Sequence, residues 1–593
     1  MINIKDHKTG HLWDPWEHLG EKRRKLLDES WAGAFREHIL HQLPIDAVIP
    51  FFSETQGRPT KELYSLIGAL VLQQMHDLTD NETVEQFSFN VQWHYALNIT
   101  SAGDAEAYMC TKTLWNARNV IAENKIDEIL FNSITDHLIE VFDVDTSNQR
   151  LDSVHIQSNM RHLGRIRIIA TSIKGFIVNL KRQHPDQYEK ISDELAGCYK
   201  NDNALSIFSL VKPSESSKTL DQVSKDLFTL CQMFKDNDSI LKMSSFSTLL
   251  RVLKEQCDVV DSEDAVEKED AAEDDAVKPK KAKDITSDSL QNPSDPDATY
   301  DAHKGKGYQV QLQETYQEND DKNNTDEASA DEDNTNNLRL ITYVEVEQAH
   351  ISDANALMPA INDTRERNIG PVVLIADTTY GGDENVQKAK AEGVEVVSPA
   401  TGKENSENIQ LTDFEIDNNS NVKECPAGHK PVDQKKKSAR NTVLFDVAQC
   451  SSCPQCSQCP VKEGKKFFYL RFDDKELRLA IRRKLEKSDL FKNRYRMRSG
   501  IEATNSEYDR LTGVKHLRVR GFKAVRFCAT IKALGINIYR IAAAMRAGKQ
   551  STLPENMLIS PIKVLISTFS RKFSPLGAIF RKKSGCNEIM SVA

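Results

Sequence analysis

The sequence predicts an α/β fold with added modules, and three observations carry that reading. Residues 372–376, VVLIA, form a continuous apolar run that ends on Asp377, the pattern of a strand buried on both faces. The segments HKGKGYQVQLQETY and LRLITYVEVEQA each alternate apolar with polar residues, as half-buried strands do. The first 140 residues show helical periodicity instead. At 593 residues the chain is too long for one compact core, so two to four units are expected.

The elements follow in order. Leu63, Leu66, Ile67, Leu70 and Val71 recur at helical spacing after Pro59 and Thr60. Thr79 and Glu82 form a capping box that opens a second helix with Val84 and Phe87, and a third spans residues 113–123. A unit over residues 1–140 built this way fits a DNA-binding domain or a plain helical bundle. RLDSVHI then reads as a strand with Asp152, Val154 and Ile156 on one face. Residues 161–257 read as a helical insertion, whose purpose is open between contacting DNA and bracing the fold.

Two acidic segments, 258–290 and 317–337, contain tracts too polar to bury surface and are expected to be disordered. The second lies between the two alternating strands and reads as an enlarged hairpin turn. After the run ending at Asp377, Asp383 is expected to cap a helix that stops at Gly393, and residues 394–397 resume as a strand. A carboxylate at the carboxyl end of such a strand lies where active sites gather in open α/β sheets.

Residues 420–465 hold Cys425, Cys450, Cys453, Cys456 and Cys459, with His429 nearby. Three consecutive C-x2-C steps beside CPAGH are close to zinc-ribbon spacing, so a structural Zn2+ on four of these thiolates is expected. Eleven cysteines without a secretion signal point to a reducing, cytoplasmic setting. No apolar run reaches the roughly 18 residues a bilayer needs, so no membrane partner is expected.

Charge is unevenly spread. Residues 258–337 hold 24 acidic and 8 basic residues, a net of −16, so the overall −10 leaves +6 elsewhere. From residue 461 onward 30 basic residues face 11 acidic ones, a net of +19 that includes the basic tail 546–593. A solvated acidic middle and a nucleic-acid-binding end account for this pattern; a merely solvated surface accounts for it equally well.

Arg498 and Glu502 are four apart on one helical face, and alone they would be an ordinary surface ion pair. Their setting says more. Tyr495-x2-Arg498-x3-Glu502 resembles the Tyr-Arg-Glu signature of bacterial insertion-sequence DDE transposases. ADTTYGGDEN resembles that family's second-Asp motif, LDSVHIQSNM its first, and DPDATYDAHKGKGYQVQL the hairpin between them. RPTKELYSLIGALVLQQM resembles the amino-terminal domain, so the likeness runs in order from about Arg58 to Tyr539.

The resemblance implies a ribonuclease-H-like mixed sheet with flanking helices over residues 145–545, and a triad of Asp152, Asp377 and Glu502 holding two Mg2+ ions, with Mn2+ as a substitute. It also implies cleavage and joining of double-stranded DNA at transposon ends, and at least a homodimer on paired ends. Tyr495, Arg498, Arg510, Lys515, Arg518 and Arg520 are the expected DNA contacts. The family's Lys seven residues after the Glu is replaced by Asp509, with Arg510 next to it. That departure keeps open a catalytically inactive, zinc-containing DNA-binding protein derived from a transposase.

Overall fold

The computed structural model describes residues 2–7, 15–53, 59–101, 103–160, 163–199, 216–259, 276–317, 338–402, 408–417, 419–437 and 440–547. The tail 548–593 and most of both acidic segments therefore lie outside the described residues.

Four main helices precede the first strand: α1 (Leu63–Met75), α2 (Asp80–Phe89), α3 (Thr111–Glu123) and α4 (Ile126–Val141). Every residue of α1 except Tyr64 is buried, so the expected stripe is the richest side of a helix enclosed on all sides. Its cap is Glu62, whose carboxylate accepts from the Tyr64 and Ser65 amides. The capping box of α2 is present, with the Glu82 amide donating to Thr79 and the Thr79 amide to Glu82.

β1 (Asn148–Gln157) comes next, followed by the helical insertion α5 (Arg165–Gln183), α6 (Ser216–Phe234) and α7 (Ser244–Gln256). These three helices bury Phe176, Leu227, Phe234 and Phe246 in a core of their own. Residues 276–290 belong to this module, although the sequence reads them as disordered. Residues 277–279 pair with 257–259, and Val277 and Leu290 fill the helical core. Two apolar side chains among many charges are enough when a neighbouring core has room for them.

The sheet continues with β2 (Thr299–Asp301), β3 (Gly305–Thr315), β4 (Ile341–Gln348) and β5 (Val373–Ala376). Helix α8 (Asp383–Ala391) leads to β6 (Glu395–Val397). β3 and β4 form the expected hairpin around residues 318–337. β3 pairs with β1 on its other side, antiparallel, while β5 and β6 follow β1 in parallel. β2 shares the β4 side of β3, so the order is β2/β4-β3-β1-β5-β6. The mixed α/β architecture is consistent with the ribonuclease-H-like expectation.

Before the last helices the chain builds a small β module of β7 (Asp433–Lys437), β8 (Arg440–Phe445), β9 (Lys462–Glu463) and β10 (Phe468–Asp473). Its core of Phe414, Val422, Val443, Phe445, Leu470 and Phe472 extends beyond both ends of the expected 420–465 insertion. Four helices close the described chain: α9 (Asp474–Glu486), α10 (Asp489–Arg496), α11 (Ser499–Thr512) and α12 (Phe522–Arg546).

α12 is long and apolar enough to cross a membrane, yet 78% of its apolar window is buried inside the fold, as a core helix would be. It packs Val525, Ile531, Leu534 and Ile538 into one core with α1, α3 and α4 and with Val154, Ile156, Val310 and Leu312 of the sheet. Arg526 fastens this packing through a buried fork to Asp127 of α4, at 2.9 and 3.1 Å. The amino-terminal helices thus share a core with the sheet. The opposite sheet face buries Leu151, Leu374, Ala376 and Tyr380.

A second buried network sets the angle of α11. Arg150 donates to Glu314 at 2.7 Å and to the Met497 carbonyl at 2.7 Å. Glu314 also accepts from Arg540 at 2.9 Å and from Thr504 at 2.7 Å. Gly500 leaves no room beside this fork: a Cβ there would lie 2.0 Å from Arg150 Nη1. Gly→Ala in a helix ordinarily stabilises by about 1 kcal/mol. Gly500→Ala should instead lower stability by about 1–3 kcal/mol through overpacking, read as a lower urea midpoint; a raised midpoint would refute the tight fit.

Candidate active site

Strand register places the first two acids side by side. Leu151 of β1 is paired with Ala376 of β5, so Asp152 and Asp377 are each one residue further along parallel neighbours, about 5 Å apart at the backbone. Asp152 is nearly buried, with 14% of its side chain exposed, whereas Glu502 is 63% exposed. Asp377 turns its carboxylate back onto the chain, accepting from the Thr379 amide at 2.8 Å.

Glu502 reaches the pair through Arg498, one turn earlier on the approach to α11. The Arg498 guanidinium lies 2.8 Å from Glu502 and 3.5 Å from Asp152. Burial pulls the Arg498 charge down, but Asp152, Tyr495, Glu502 and Asp377 more than offset it and hold the group firmly protonated. The same burial pushes the Asp152 carboxyl up, against the opposing pull of Arg498 and with a further push from Asp377. Tyr495 stacks on Phe491 at 5.6 Å, and its phenol is raised by burial and by both aspartates despite Arg498. All five side chains therefore share one electrostatic site.

Asn505 sits one turn after Glu502 and donates to Asp152 Oδ2 at 3.1 Å. The helical pattern marks Asn505 as the one polar residue on an inward face, but not its partner. Behind the site Tyr380, fully buried, donates to Gln311 at 2.6 Å. Lys304 bridges Ser153 at 2.9 Å and Asp353 at 3.0 Å.

The other expected contacts lie at the end of α11 and along the loop between α11 and α12. Arg510 is exposed on α11. Asp509 accepts from the Lys515 amide at 3.1 Å, so the residue in the family's Lys position anchors the start of this loop. Arg520 donates to Asn159 just beyond β1, at 2.5 and 2.9 Å, and Arg518 lies 3.5 Å from Asp77. Lys515, Arg518 and Arg520 thus run past the end of β1, on the strand that carries Asp152.

All five expected cysteines and His429 line one cavity of about 20 Å³ in the β module. Burial first, and then Cys425, Cys459, Cys456 and Cys453, push the Cys450 thiol up to about 11. Among the described residues, however, no three His, Cys, Asp or Glu side chains converge as metal ligands. The expected zinc site therefore gains no support from this arrangement; Cys450 is part of the module's core, with Cys425, Cys456 and Cys459 packed against it. The same absence holds at the triad, where Arg498 stands between Asp152 and Glu502.

Two family models match. The model for a transposase DDE domain covers residues 423–542, and that for a transposase domain called DUF772 covers residues 24–119. Both models describe transposase domains, one near the start of the chain and one in its last third. Their order, amino-terminal DUF772 and then DDE, is consistent with an insertion-sequence DDE transposase. The DDE match includes Tyr495, Arg498 and Glu502, while Asp152 and Asp377 precede it. No curated protein matches the chain.

Proposed function

We propose that this transposase cleaves and joins double-stranded DNA at the ends of an insertion sequence, with Asp152, Asp377 and Glu502 as its acids. The observation that carries the reading is the grouping of Asp152 and Asp377, on neighbouring strand segments, with the helical Glu502 around a single arginine.

Three carboxylates give the hard oxygen donors that Mg2+ prefers, and Asp152 and Asp377 are already neighbours. Divalent metal held there would activate a water or a 3′-hydroxyl and stabilise the leaving oxygen. Freeing Glu502 for that role requires Arg498 to leave it, and a DNA phosphate offers the guanidinium a bidentate alternative. Tyr495 beside Arg498 would steer the same strand. Arg510, Lys515, Arg518 and Arg520 would hold the flanking backbone, which makes binding steeply salt-dependent. End recognition is assigned to the amino-terminal helices, and paired ends call for at least a homodimer.

The test is Mg2+-dependent cleavage of a labelled duplex carrying the element's end, with wild type beside Glu502→Ala. End-specific cleavage lost in the variant is expected. Binding by the wild type without cleavage, in Mg2+ or Mn2+, would replace this reading with an inactive DNA-binding derivative, the alternative that Asp509 leaves open.

A further inference from the structure

The cysteine-bearing β module has no part in the chemistry above, yet its last strand runs directly into α9. Asp473 ends β10 and caps α9, accepting from the Glu476 amide at 2.7 Å, and Leu477 of that helix lies in the module's core. The remaining length of α9 lies against the loops that follow β5 and β6. Arg482 donates to the Gly381 carbonyl at 2.8 Å and to the Ser398 carbonyl at 3.0 Å. One planar fork thereby joins the two loops. Ser398 in turn donates its hydroxyl to the Asp377 carbonyl at 2.6 Å.

The loops touch where Arg482 grips them: a Cβ on Gly381 would lie 2.2 Å from Ser398 Oγ and 2.7 Å from the Pro399 carbonyl. Arg478 adds a two-point contact to Asp383 at 2.6 and 3.0 Å, and Arg483 donates to the Thr401 carbonyl at 2.9 Å. The Ala400 amide donates to Glu486. The helix leaving the module is thus bound to both loops by Arg482, Arg483 and Glu486, and to the start of α8 by Arg478.

We propose that Arg482 is a positioning residue for Asp377, and that the cysteine-bearing module serves as the brace that holds Arg482 in place. The proposal rests on the reading of Asp377 as one of the three acids. An aspartate at the end of a four-residue strand is followed by a turn free to move unless something fixes the backbone. Arg482 supplies that fixation without touching the carboxylate. Arginine suits the task because its rigid fork reaches two carbonyls at once, whereas lysine offers a point charge that satisfies one geometry at a time. Outer partners of this kind commonly change metal affinity or activity by roughly 10–100-fold.

The experiment compares full-length wild type, Arg482→Ala, Arg482→Lys and Asp377→Asn. The readouts are the Mg2+ concentration giving half-maximal end cleavage, the rate at saturating Mg2+, and amide hydrogen exchange over residues 377–383. Arg482→Ala should raise the half-maximal Mg2+ by roughly 10-fold or more, with a saturated rate close to wild type and faster exchange in that segment. Arg482→Lys should fall between the two.

Wild-type Mg2+ dependence and wild-type exchange in Arg482→Ala would overturn the brace. So would a loss of rate or melting temperature that leaves both the Mg2+ midpoint and the 377–383 exchange unmoved. If wild type fails to cleave, or Asp377→Asn cleaves like wild type, the functional reading falls instead. The exchange data then still decide whether Arg482 holds the segment.

Discussion

Asp152→Asn is expected to lower end cleavage by about 10³-fold or more, equivalent to about 4 kcal/mol of barrier, while leaving the fold and DNA binding intact. The substitution is nearly isosteric, and its retained carbonyl oxygen can still accept the Asn505 bond that Asp152 Oδ2 accepts at 3.1 Å. It removes the negative charge that faces Arg498 at 3.5 Å and stands beside Asp377. Charge stabilisation by a bound metal is worth several kcal/mol, and a neutral amide is a poor substitute in a site built on three carboxylates. Gel-shift binding to the element's end and cleavage of the same labelled duplex would be measured together. Wild-type cleavage by Asp152→Asn would remove Asp152 from the triad, whatever its position beside Asp377.

The largest effect on stability is expected at Glu314. Its carboxylate is fully buried between Arg150 and Arg540, both nearly buried themselves, and takes a third bond from Thr504. Glu314→Ala would leave two guanidinium groups without their central counter-charge. Breaking a buried pair in this way costs about 3–5 kcal/mol, a large share of the roughly 5–15 kcal/mol that holds most domains folded. A urea midpoint within error of wild type would show that the network is not needed.

Glu314→Gln adds a pH test. Burial alone would raise the Glu314 carboxyl, but Arg540 and Arg150 outweigh it and hold the group below the ordinary glutamate range. A depressed folded-state value means the charge stabilises the fold at neutral pH and ceases to do so as pH falls through that lower value. The stability gap between wild type and Glu314→Gln should therefore be full at neutral pH and shrink on acidification. A gap that widened toward acid would reverse the assignment.

Much of the sheet was legible in the residues. The apolar run before Asp377, the hairpin around residues 318–337 and the stop at Gly393 follow local rules of burial and turn chemistry, and each has its counterpart in the structure. Asp383 is a partial case: α8 begins there, but its side chain serves Arg478 rather than the helix end. The triad came from motif order rather than periodicity, and its adjacency depends on the pairing of Leu151 with Ala376 across more than two hundred residues.

Less legible were the residues that hold these parts together. Arg482 sits in the charged run RRK and reads as solvated surface, since nothing local reveals two carbonyls waiting on distant loops. Arg150, Glu314 and Arg540 form a network only after three separate elements have met. The zinc-like spacing picked out residues that do come together. All five cysteines line one small cavity, although among the described residues no three His, Cys, Asp or Glu side chains group as metal ligands.

The packing of α12 against the amino-terminal helices also has a consequence for how the protein is made. The helices before residue 142 cannot complete their core until residues 522–546 have left the ribosome, because that last helix supplies Val525, Ile531, Leu534 and Ile538 and the partner of Asp127. At roughly 5–20 residues per second, the first helices wait tens of seconds with apolar surface uncovered. A chain cut short upstream of that helix is therefore expected to leave the surface that α12 covers exposed, and to need chaperones.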